Sequence, residues 1–183
     1  MKVIVLLSGG IDSALCLLIA LDRYKAEDVV AFHLFYGGTR LELEAARAFA
    51  KKHNVSFDAM ECCPWSLREA GADDPYVIPH RNAVMITLAA ARHPDATTIY
   101  FGATEEDYDD YRDCRPEFFN ELGCALRFIV KTPLIYGTKA ATVSQLQHRN
   151  VDLATLVSCY RGVRPGCGQC NSCRLRAKAG APC

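Results

Sequence analysis

Two sets of residues in this 183-residue chain have types and spacing that could support chemistry. One is the loop Ser8–Ser13, with the sequence SGGIDS, and the other is a group of four cysteines near the C-terminus. Gly9 and Gly10 let the backbone turn tightly and approach a ligand without a clash from a Cβ atom. A helix beginning after them would direct its free N–H groups and positive dipole end at a bound anion. The loop therefore predicts a phosphate site, and Asp12 implies Mg²⁺ because its carboxylate would otherwise repel phosphate.

An ordinary strand-to-helix turn, with Asp12 or Ser13 as the helix N-cap, is the alternative interpretation of this loop. The string is neither the Walker A sequence nor the dinucleotide-binding sequence G-x-G-x-x-G. It is similar to the PP-loop of the ATP pyrophosphatases. That resemblance implies that ATP is cleaved between its α and β phosphates, so that AMP is transferred to the substrate. The predicted ATP-binding residues are Leu7, Ser8, Gly9, Gly10, Ile11, Asp12, Ser13 and Arg81.

The clustered cysteines are Cys159, Cys167, Cys170 and Cys173, in the spacing C-x₇-C-x₂-C-x₂-C. Four thiolates at such spacing can form a tetrahedral site with no open position, which suits structural Zn²⁺. An iron–sulfur cluster and a redox-active C-x-x-C pair remain as alternatives. Two other cysteines, Cys16 and Cys124, fall on apolar helical segments and are predicted to be core residues.

The elements that must position these residues alternate between strands and helices. Apolar segments predict strands at residues 2–7, 29–35, 55–60 and 97–102, with an extended segment at 128–134. Helical patterns cover residues 13–21, 41–52, 82–92, 116–126 and 139–148. Asn82 is the predicted N-cap of the third helix. Residues 62–79 and 104–115 are predicted to be loops.

This alternation predicts right-handed βαβ units, because consecutive strands are too far apart for hairpins. The predicted fold class is α/β: a Rossmann-like, mostly parallel sheet with helices on both faces, plus a small four-cysteine zinc module. We expect a nucleotide-binding domain over residues 1–151. A zinc-binding tail over residues 152–183, without a core of its own, would pack on the same domain.

Charge and hydropathy argue against some function classes. Lys plus Arg and Asp plus Glu each number 21, which argues against direct binding of nucleic acid. No apolar run is long enough to span a membrane, and the start of the chain lacks the features of a signal peptide. We therefore expect a cytoplasmic protein without a membrane partner.

Segments along nearly the whole chain resemble the QueC family of 7-cyano-7-deazaguanine (preQ0) synthases. Besides the PP-loop, the resemblance is carried, in the family's order, by Tyr36-Gly37, Arg81-Asn82, Gly102, Glu105, Asp107, Tyr111, Asp113-Cys114-Arg115, Glu117-Phe118, Thr132-Pro133-Leu134, Lys139, Ser158-Cys159-Tyr160 and the three later cysteines. It implies an ATP-dependent ligase that converts 7-carboxy-7-deazaguanine and ammonia to the nitrile through adenylated carboxylate and amide intermediates. ATP, Mg²⁺ and structural Zn²⁺ would be the cofactors, and we expect a homodimer.

The resemblance also assigns roles to residues. The predicted catalytic residues are Asp12, Lys139 and Arg115. The predicted substrate-binding residues are Tyr36, His80, Asn82, Glu105, Asp107, Tyr111, Asp113 and Arg115. Simpler interpretations stay open, since Lys139 could be a solvated lysine and Arg115 could form an ordinary salt bridge. Arg81 could contact either the nucleotide or the substrate.

The chain departs from the family pattern in four places. Gly38-Thr39-Arg40 is shorter than the family's segment, His80 replaces a glycine, the insertion before His80 is short, and little chain follows the last cysteine. The short insertion and His80 keep open a ligase that stops at the amide or uses another carboxylate. A PP-loop enzyme of tRNA thiolation and a non-catalytic nucleotide-binding subunit are further alternatives.

Overall fold

Five strands form one parallel sheet in the computed structural model, which describes residues 2–36, 40–62, 78, 80–108 and 111–181. The strands are β1 (Lys2–Leu6), β2 (Val29–Phe35), β3 (Ser56–Glu61), β4 (Ala96–Tyr100) and β5 (Ile129–Lys131). Their order is β3-β2-β1-β4-β5, and every neighbouring pair is parallel. β1 is therefore central, which explains why it reads as a continuous apolar run.

Helices cover both faces of this sheet. They are α1 (Ile11–Leu21), α2 (Arg40–Lys52), α3 (Arg81–Arg92), α4 (Pro116–Leu126), α5 (Lys139–His148) and α6 (Asn171–Lys178). Val3 and Val5 of β1 pack in a core with residues of α1, α2 and α5. Ile4 and Leu6 point the other way and pack with residues of α3 and α4. The predicted α/β class, with helices on both faces of a parallel sheet, is confirmed.

The order in which strands are added to the sheet changes side at β1. β2 and β3 lie on one side of it, and the connection after β3 crosses to β4 on the other side. In open α/β sheets, ligands bind in the crevice outside the carboxyl ends of the strands at such a point. The PP-loop follows β1 directly, so the sheet order places it in this crevice.

Three local predictions differ from the structure. α3 begins at Arg81 with His80 as its N-cap, so Asn82 lies within the first turn. The segment 104–115 contains two short 3₁₀ turns, Glu105–Asp107 and Arg112–Cys114, where an irregular loop was expected. Cys124 is exposed on α4, whereas Cys16 is buried as expected. Most of the predicted loop 62–79 lies outside the described residues.

The C-terminal tail is more ordered than its sequence pattern suggests. α6 begins immediately after Cys170, and Cys173 lies in its first turn. Leu153, Leu156 and Ala181 pack into the same core as α1 and α5. The tail thus shares the apolar core of the sheet. Within the described residues, no helix has the length and apolar character needed to cross a membrane.

Candidate functional site

The PP-loop passes very close to α2. Gly9 has φ +97°, and a Cβ atom there would lie 2.5 Å from the backbone oxygen of Glu42. Only glycine combines this left-handed backbone with so close an approach. Gly10 then returns to an extended conformation as the N-cap of α1, which points the free amides of the helix into the crevice.

The two serines of the loop brace it from within. Ser13 Oγ accepts a hydrogen bond from Ser8 N at 3.1 Å and donates to Gly10 O at 3.0 Å. Ser8 Oγ lies 3.0 Å from Ser13 Oγ and accepts from Gly10 N at 3.3 Å. The hydroxyls of Ser8 and Ser13 therefore fix the conformation of the loop.

The segment just after β4 packs closely against the first turn of α1. A Cβ atom at Gly102 would lie 3.0 Å from the carbonyl carbon of Asp12 and 3.1 Å from Ser13 N. Thr104 follows two residues later, and its backbone N and Oγ1 donate hydrogen bonds to Asp107 Oδ2 at 2.9 and 3.0 Å. This cap fixes the turn after β4, so the Asp107 carboxylate has a defined place beside α1.

Asp12 and Lys139 form an ion pair in the crevice. Lys139 Nζ lies 2.6 Å from Asp12 Oδ2, and both side chains are largely buried. Lys139 N, at the start of α5, donates to the Glu106 carboxylate at 2.8 and 3.1 Å. Thr138 caps the same helix by accepting from Ala141 N at 3.2 Å. The helix start is thus held from two sides, and this positions the lysine.

The surroundings of this pair shift both of its pKa values upward. Burial raises the pKa of Asp12, and Lys139 only partly opposes that shift. Burial alone would lower the pKa of Lys139, but Asp12, Asp107 and Glu106 outweigh it, and the pKa is raised. The ammonium therefore stays charged at neutral pH.

The acidic surroundings of Asp12 fit a divalent cation. Its Oδ1 atom is buried and has no hydrogen-bond partner among the described residues. Burying an unpaired carboxylate oxygen is unfavourable unless a ligand satisfies it. Carboxylate oxygens are the ligands that Mg²⁺ prefers, and Asp12 belongs to the phosphate loop and lines its cavity. Asp12 therefore fits the predicted role of a Mg²⁺ ligand.

A cavity of about 180 Å³ opens over the PP-loop between α1, α3 and the C-terminal tail. The predicted residues that line it are Ser8, Gly10, Ile11, Asp12, Ser13, Tyr36, Arg81, Asn82, Asp107, Tyr111 and Lys139. The structure thus brings the predicted phosphate loop, Lys139 and four of the eight predicted substrate-binding residues into one space.

Arg81 and Asn82 project from the start of α3 into this cavity. The Arg81 guanidinium lies 5.6 Å from the centre of the Tyr111 ring. Its Nε atom is buried without a hydrogen-bond partner in the described parts of the chain. Asn82 Nδ2 donates to Asp113 O at 3.0 Å and to Cys114 Sγ at 3.2 Å, while Asn82 N donates to Asp113 Oδ2 at 2.9 Å. Asn82 thereby joins α3 to the 3₁₀ turn Arg112–Cys114.

Six predicted residues do not line the cavity. They are Leu7, Gly9, His80, Glu105, Asp113 and Arg115. Leu7 is buried in the core, and Gly9 faces α2. His80 is exposed and has φ +56°, a left-handed conformation that a glycine would adopt without strain. Arg115 is the exposed N-cap of α4, so Arg81 is the arginine of the cavity wall.

Residues that the sequence did not single out for the site complete the wall. They are Leu6, Glu42, Met85, Phe101, Val157, Ser172 and Leu175, together with Gly102, Cys114, Ser158 and Tyr160 from the segments that carry the family resemblance. Burial raises the pKa of Glu42 to about 7, with only Arg81 opposing the shift. Burial also raises the pKa of the Cys114 thiol to about 12, so that thiol stays protonated. The signal that could have identified Glu42 was its position in the first turn of α2, the helix that follows β2.

The four predicted cysteine ligands converge. Their Sγ atoms all lie within 4.8 Å of one another, and those of Cys167 and Cys173 are 4.0 Å apart. Zinc–sulfur bonds of about 2.3 Å place thiolates about 3.8 Å apart in a tetrahedron, close to this spacing. A cluster of several irons and sulfides would hold the thiolates further apart. Amide donors from the segment before α6 lower the pKa of Cys167 to about 6. The geometry therefore fits one small ion.

Comparison with known sequences gives a consistent family. The family model described as "Queuosine biosynthesis protein QueC" matches residues 2–73 and 65–181. The 7-cyano-7-deazaguanine synthase of Chromobacterium violaceum is 36% identical over 213 residues, covering 99% of this chain and 91% of the relative. That of Thermoplasma volcanium is 32% identical over 207 residues, covering 97% and 85%. Both alignments are longer than this chain, so the relatives carry residues that it lacks.

Solved structures share the fold at low identity. Nicotinamide mononucleotide synthetase from Francisella tularensis has a TM-score of 0.60 and 12% identity, covering 100% of this chain and 78% of the other. The U34-tRNA thiolase NcsA from Methanococcus maripaludis, solved with its [4Fe-4S] cluster, has a TM-score of 0.58 and 16% identity, covering 98% and 64%. At this identity the likeness concerns the fold alone.

Proposed function

The chain belongs to the QueC family, and from this premise we propose that it is an ATP-dependent ligase that converts 7-carboxy-7-deazaguanine and ammonia to 7-cyano-7-deazaguanine. The observation that carries the proposal is the cavity in which the Asp12–Lys139 pair and the amides of the PP-loop face Arg81. The Asp12–Lys139 pair and the loop amides suit a polyphosphate, and Arg81 suits a carboxylate. A carboxylate-activating enzyme needs both in one space.

In the first step the substrate carboxylate attacks the α-phosphorus of ATP, and pyrophosphate leaves. The α1 amides and Lys139 stabilise the negative charge that builds up on the departing phosphates. Mg²⁺, when bound at Asp12, would neutralise the phosphates further. Arg81 orients the carboxylate through its buried guanidinium, whose Nε atom has no hydrogen-bond partner among the described residues. The product is an acyl adenylate, in which AMP is a good leaving group.

In the second step ammonia displaces AMP and gives the amide. A second ATP then adenylates the amide oxygen, and loss of AMP with the remaining N–H protons gives the nitrile. Both conversions require a proton acceptor near the nitrogen. Among the described carboxylates of the cavity wall, Asp12 and Asp107 are already hydrogen-bonded. Glu42, with a pKa raised to about 7, is suited to exchange protons at neutral pH.

The purine-like ring of the substrate fits the aromatic side of the cavity. Tyr36, Tyr111 and Tyr160 line it together, and the Tyr160 hydroxyl hydrogen-bonds to Tyr111. Aromatic rings stack on planar heterocycles, and a carboxylate such as Asp107 accepts hydrogen bonds from their N–H edge. We infer that the four cysteines hold a structural Zn²⁺, since their spacing and their closed geometry suit that ion.

The product distinguishes this function from its alternatives. The purified protein is incubated with 7-carboxy-7-deazaguanine, ammonia, Mg²⁺ and ATP, and the products are measured by mass spectrometry. We expect the nitrile with two AMP and two pyrophosphate per turnover. The amide alone, with one AMP, would instead support a ligase that stops at the amide. The short insertion before His80, and His80 in place of a glycine, make such a ligase the second candidate. Elemental analysis that found iron and sulfide would contradict the zinc assignment.

A further inference from the structure

The segment from Leu153 to Cys159 connects the cysteine cluster to the PP-loop. Val157 N donates a hydrogen bond to Gly9 O at 2.9 Å. A Cβ atom at Gly10 would lie 3.4 Å from Val157 O and 3.5 Å from Ser158 Oγ. The Ser158 hydroxyl is therefore beside the first amides of α1, on the wall of the cavity.

Arg176 of α6 holds this segment in place. Its side chain is buried, with 2% exposure. Its guanidinium donates to Leu156 O at 2.9 Å, to Leu153 O, and to Ser158 Oγ at 3.3 Å. α6 in turn begins at the cysteine cluster, because Cys170 is its N-cap and Cys173 lies in its first turn. The cluster, Arg176 and Ser158 thus form one continuous connection to the loop.

This connection determines the direction of the Ser158 hydroxyl. A guanidinium has donors and no acceptor, so Ser158 Oγ must accept from Arg176. The hydroxyl proton is then available to another acceptor, and the oxygen lies at the cavity wall. The hydroxyls of Ser8 and Ser13 are already engaged within the loop. An anion on the PP-loop would provide the acceptor that Ser158 needs.

We propose that Ser158 is a further pyrophosphate-binding residue of the ATP site, and that Arg176 is the residue that positions it. The inference rests on the proposed function in one respect, since it takes ATP to be the ligand of the loop. The segment that leads into the cysteine cluster would then supply the Ser158 hydroxyl to the ATP site.

Isothermal titration calorimetry with Mg²⁺–pyrophosphate and with adenosine tests the proposal on the full chain. We expect Ser158→Ala to weaken pyrophosphate binding about tenfold or more, because hydrogen bonds to charged groups are strong, and to leave adenosine binding unchanged. Thr155→Ala is the matched control, since its hydroxyl lies on the same segment, is exposed, and among the described residues bonds only to Asp152 O, at 2.7 Å. The control should bind both ligands as the natural protein does.

Arg176→Met and the double variant test the positioning role. Arg176→Met should weaken pyrophosphate binding in the natural background and have little further effect once Ser158 is alanine. A purely structural role would lower both affinities in both backgrounds. Equal pyrophosphate affinities for Ser158→Ala and the natural protein would overturn the inference and leave the proposed function intact. If the natural protein bound neither pyrophosphate nor ATP, the proposed function and the role of Ser158 would both be wrong.

Discussion

Lys139 Nζ lies 2.6 Å from Asp12 Oδ2, although 127 residues separate the two in the sequence. Asp12 is in the first turn of α1, and Lys139 opens α5. The pair forms because β1 is central in the sheet and α1 and α5 pack side by side on one face of it. It puts a cation and a candidate Mg²⁺ ligand next to the PP-loop.

Replacing Lys139 by methionine should lower pyrophosphate release by about a hundredfold, because the charge that builds up on the phosphates loses a fixed cation. Asp12 would also be left as a largely buried carboxylate without its partner, so the free energy of unfolding should fall by roughly 1–3 kcal/mol. A coupled pyrophosphate assay and urea unfolding measure the two effects. Lys25→Met is the control, since Lys25 is exposed and pairs only with Glu27 in the described chain. Pyrophosphate release within threefold of the natural rate would contradict the role of Lys139.

The close approach of Gly9 to α2 gives a prediction with a matched control. Gly9→Ala adds both a left-handed alanine and a contact of 2.5 Å with Glu42 O, so α2 or the loop must move. Gly180→Ala adds only the left-handed alanine, because nothing lies within 4 Å of its Cβ position. We expect Gly180→Ala to cost about 1–2 kcal/mol of stability with unchanged nucleotide affinity.

For Gly9→Ala we expect a larger loss of stability and at least tenfold weaker ATP binding, since the loop amides lose their alignment. Thermal denaturation and calorimetry measure both quantities. Equal ATP affinities in the two alanine variants would show that the contact with α2 does not shape the phosphate site.

The raised pKa of Glu42 predicts a pH dependence. Burial favours the protonated acid, so below about pH 7 the side chain holds its proton and cannot accept another. The rate of amide formation should therefore rise with pH and level off above about 7, measured with the free ammonia concentration held constant. Glu42→Gln should be slow and lack this inflection.

Glu44→Gln is the control for Glu42, because Glu44 is exposed on the same helix. It should keep the inflection at the natural position. An unchanged pH profile in Glu42→Gln would assign the proton transfer to another group.

The cysteine cluster predicts one zinc ion per chain. Cys173 is fully buried in the cluster, so Cys173→Ser should abolish zinc binding and lower the Tm by about 10 °C or more. Cys124→Ser removes an exposed thiol on α4 and should change neither the zinc content nor the Tm. Elemental analysis and thermal denaturation measure these outcomes, and full zinc content in Cys173→Ser would contradict the assignment.

Much of the fold follows from local patterns in the sequence. The apolar run of β1, the SGGIDS string and the helical spacing of α2 each depend on neighbouring residues, so they are readable without the structure. The N-cap of α3 was predicted at Asn82 and lies at His80, because Asn82 uses its side chain across the fold to Asp113 and Cys114. α6 was not predicted because it has only eight residues and directly follows the glycine-containing cysteine segment, so its helical pattern is too short to recognise.

The sequence by itself determined the phosphate loop and the set of four cysteines, since each is a compact string with its own chemical meaning. The tertiary structure decided which distant groups meet the loop. It put Arg81 in the cavity wall and Arg115 outside it, and it brought Glu42 to Gly9 and Ser158 to Gly10. Such long-range contacts depend on the order of the strands and on how the helices pack against them. Neither can be inferred from the local spacing of residues.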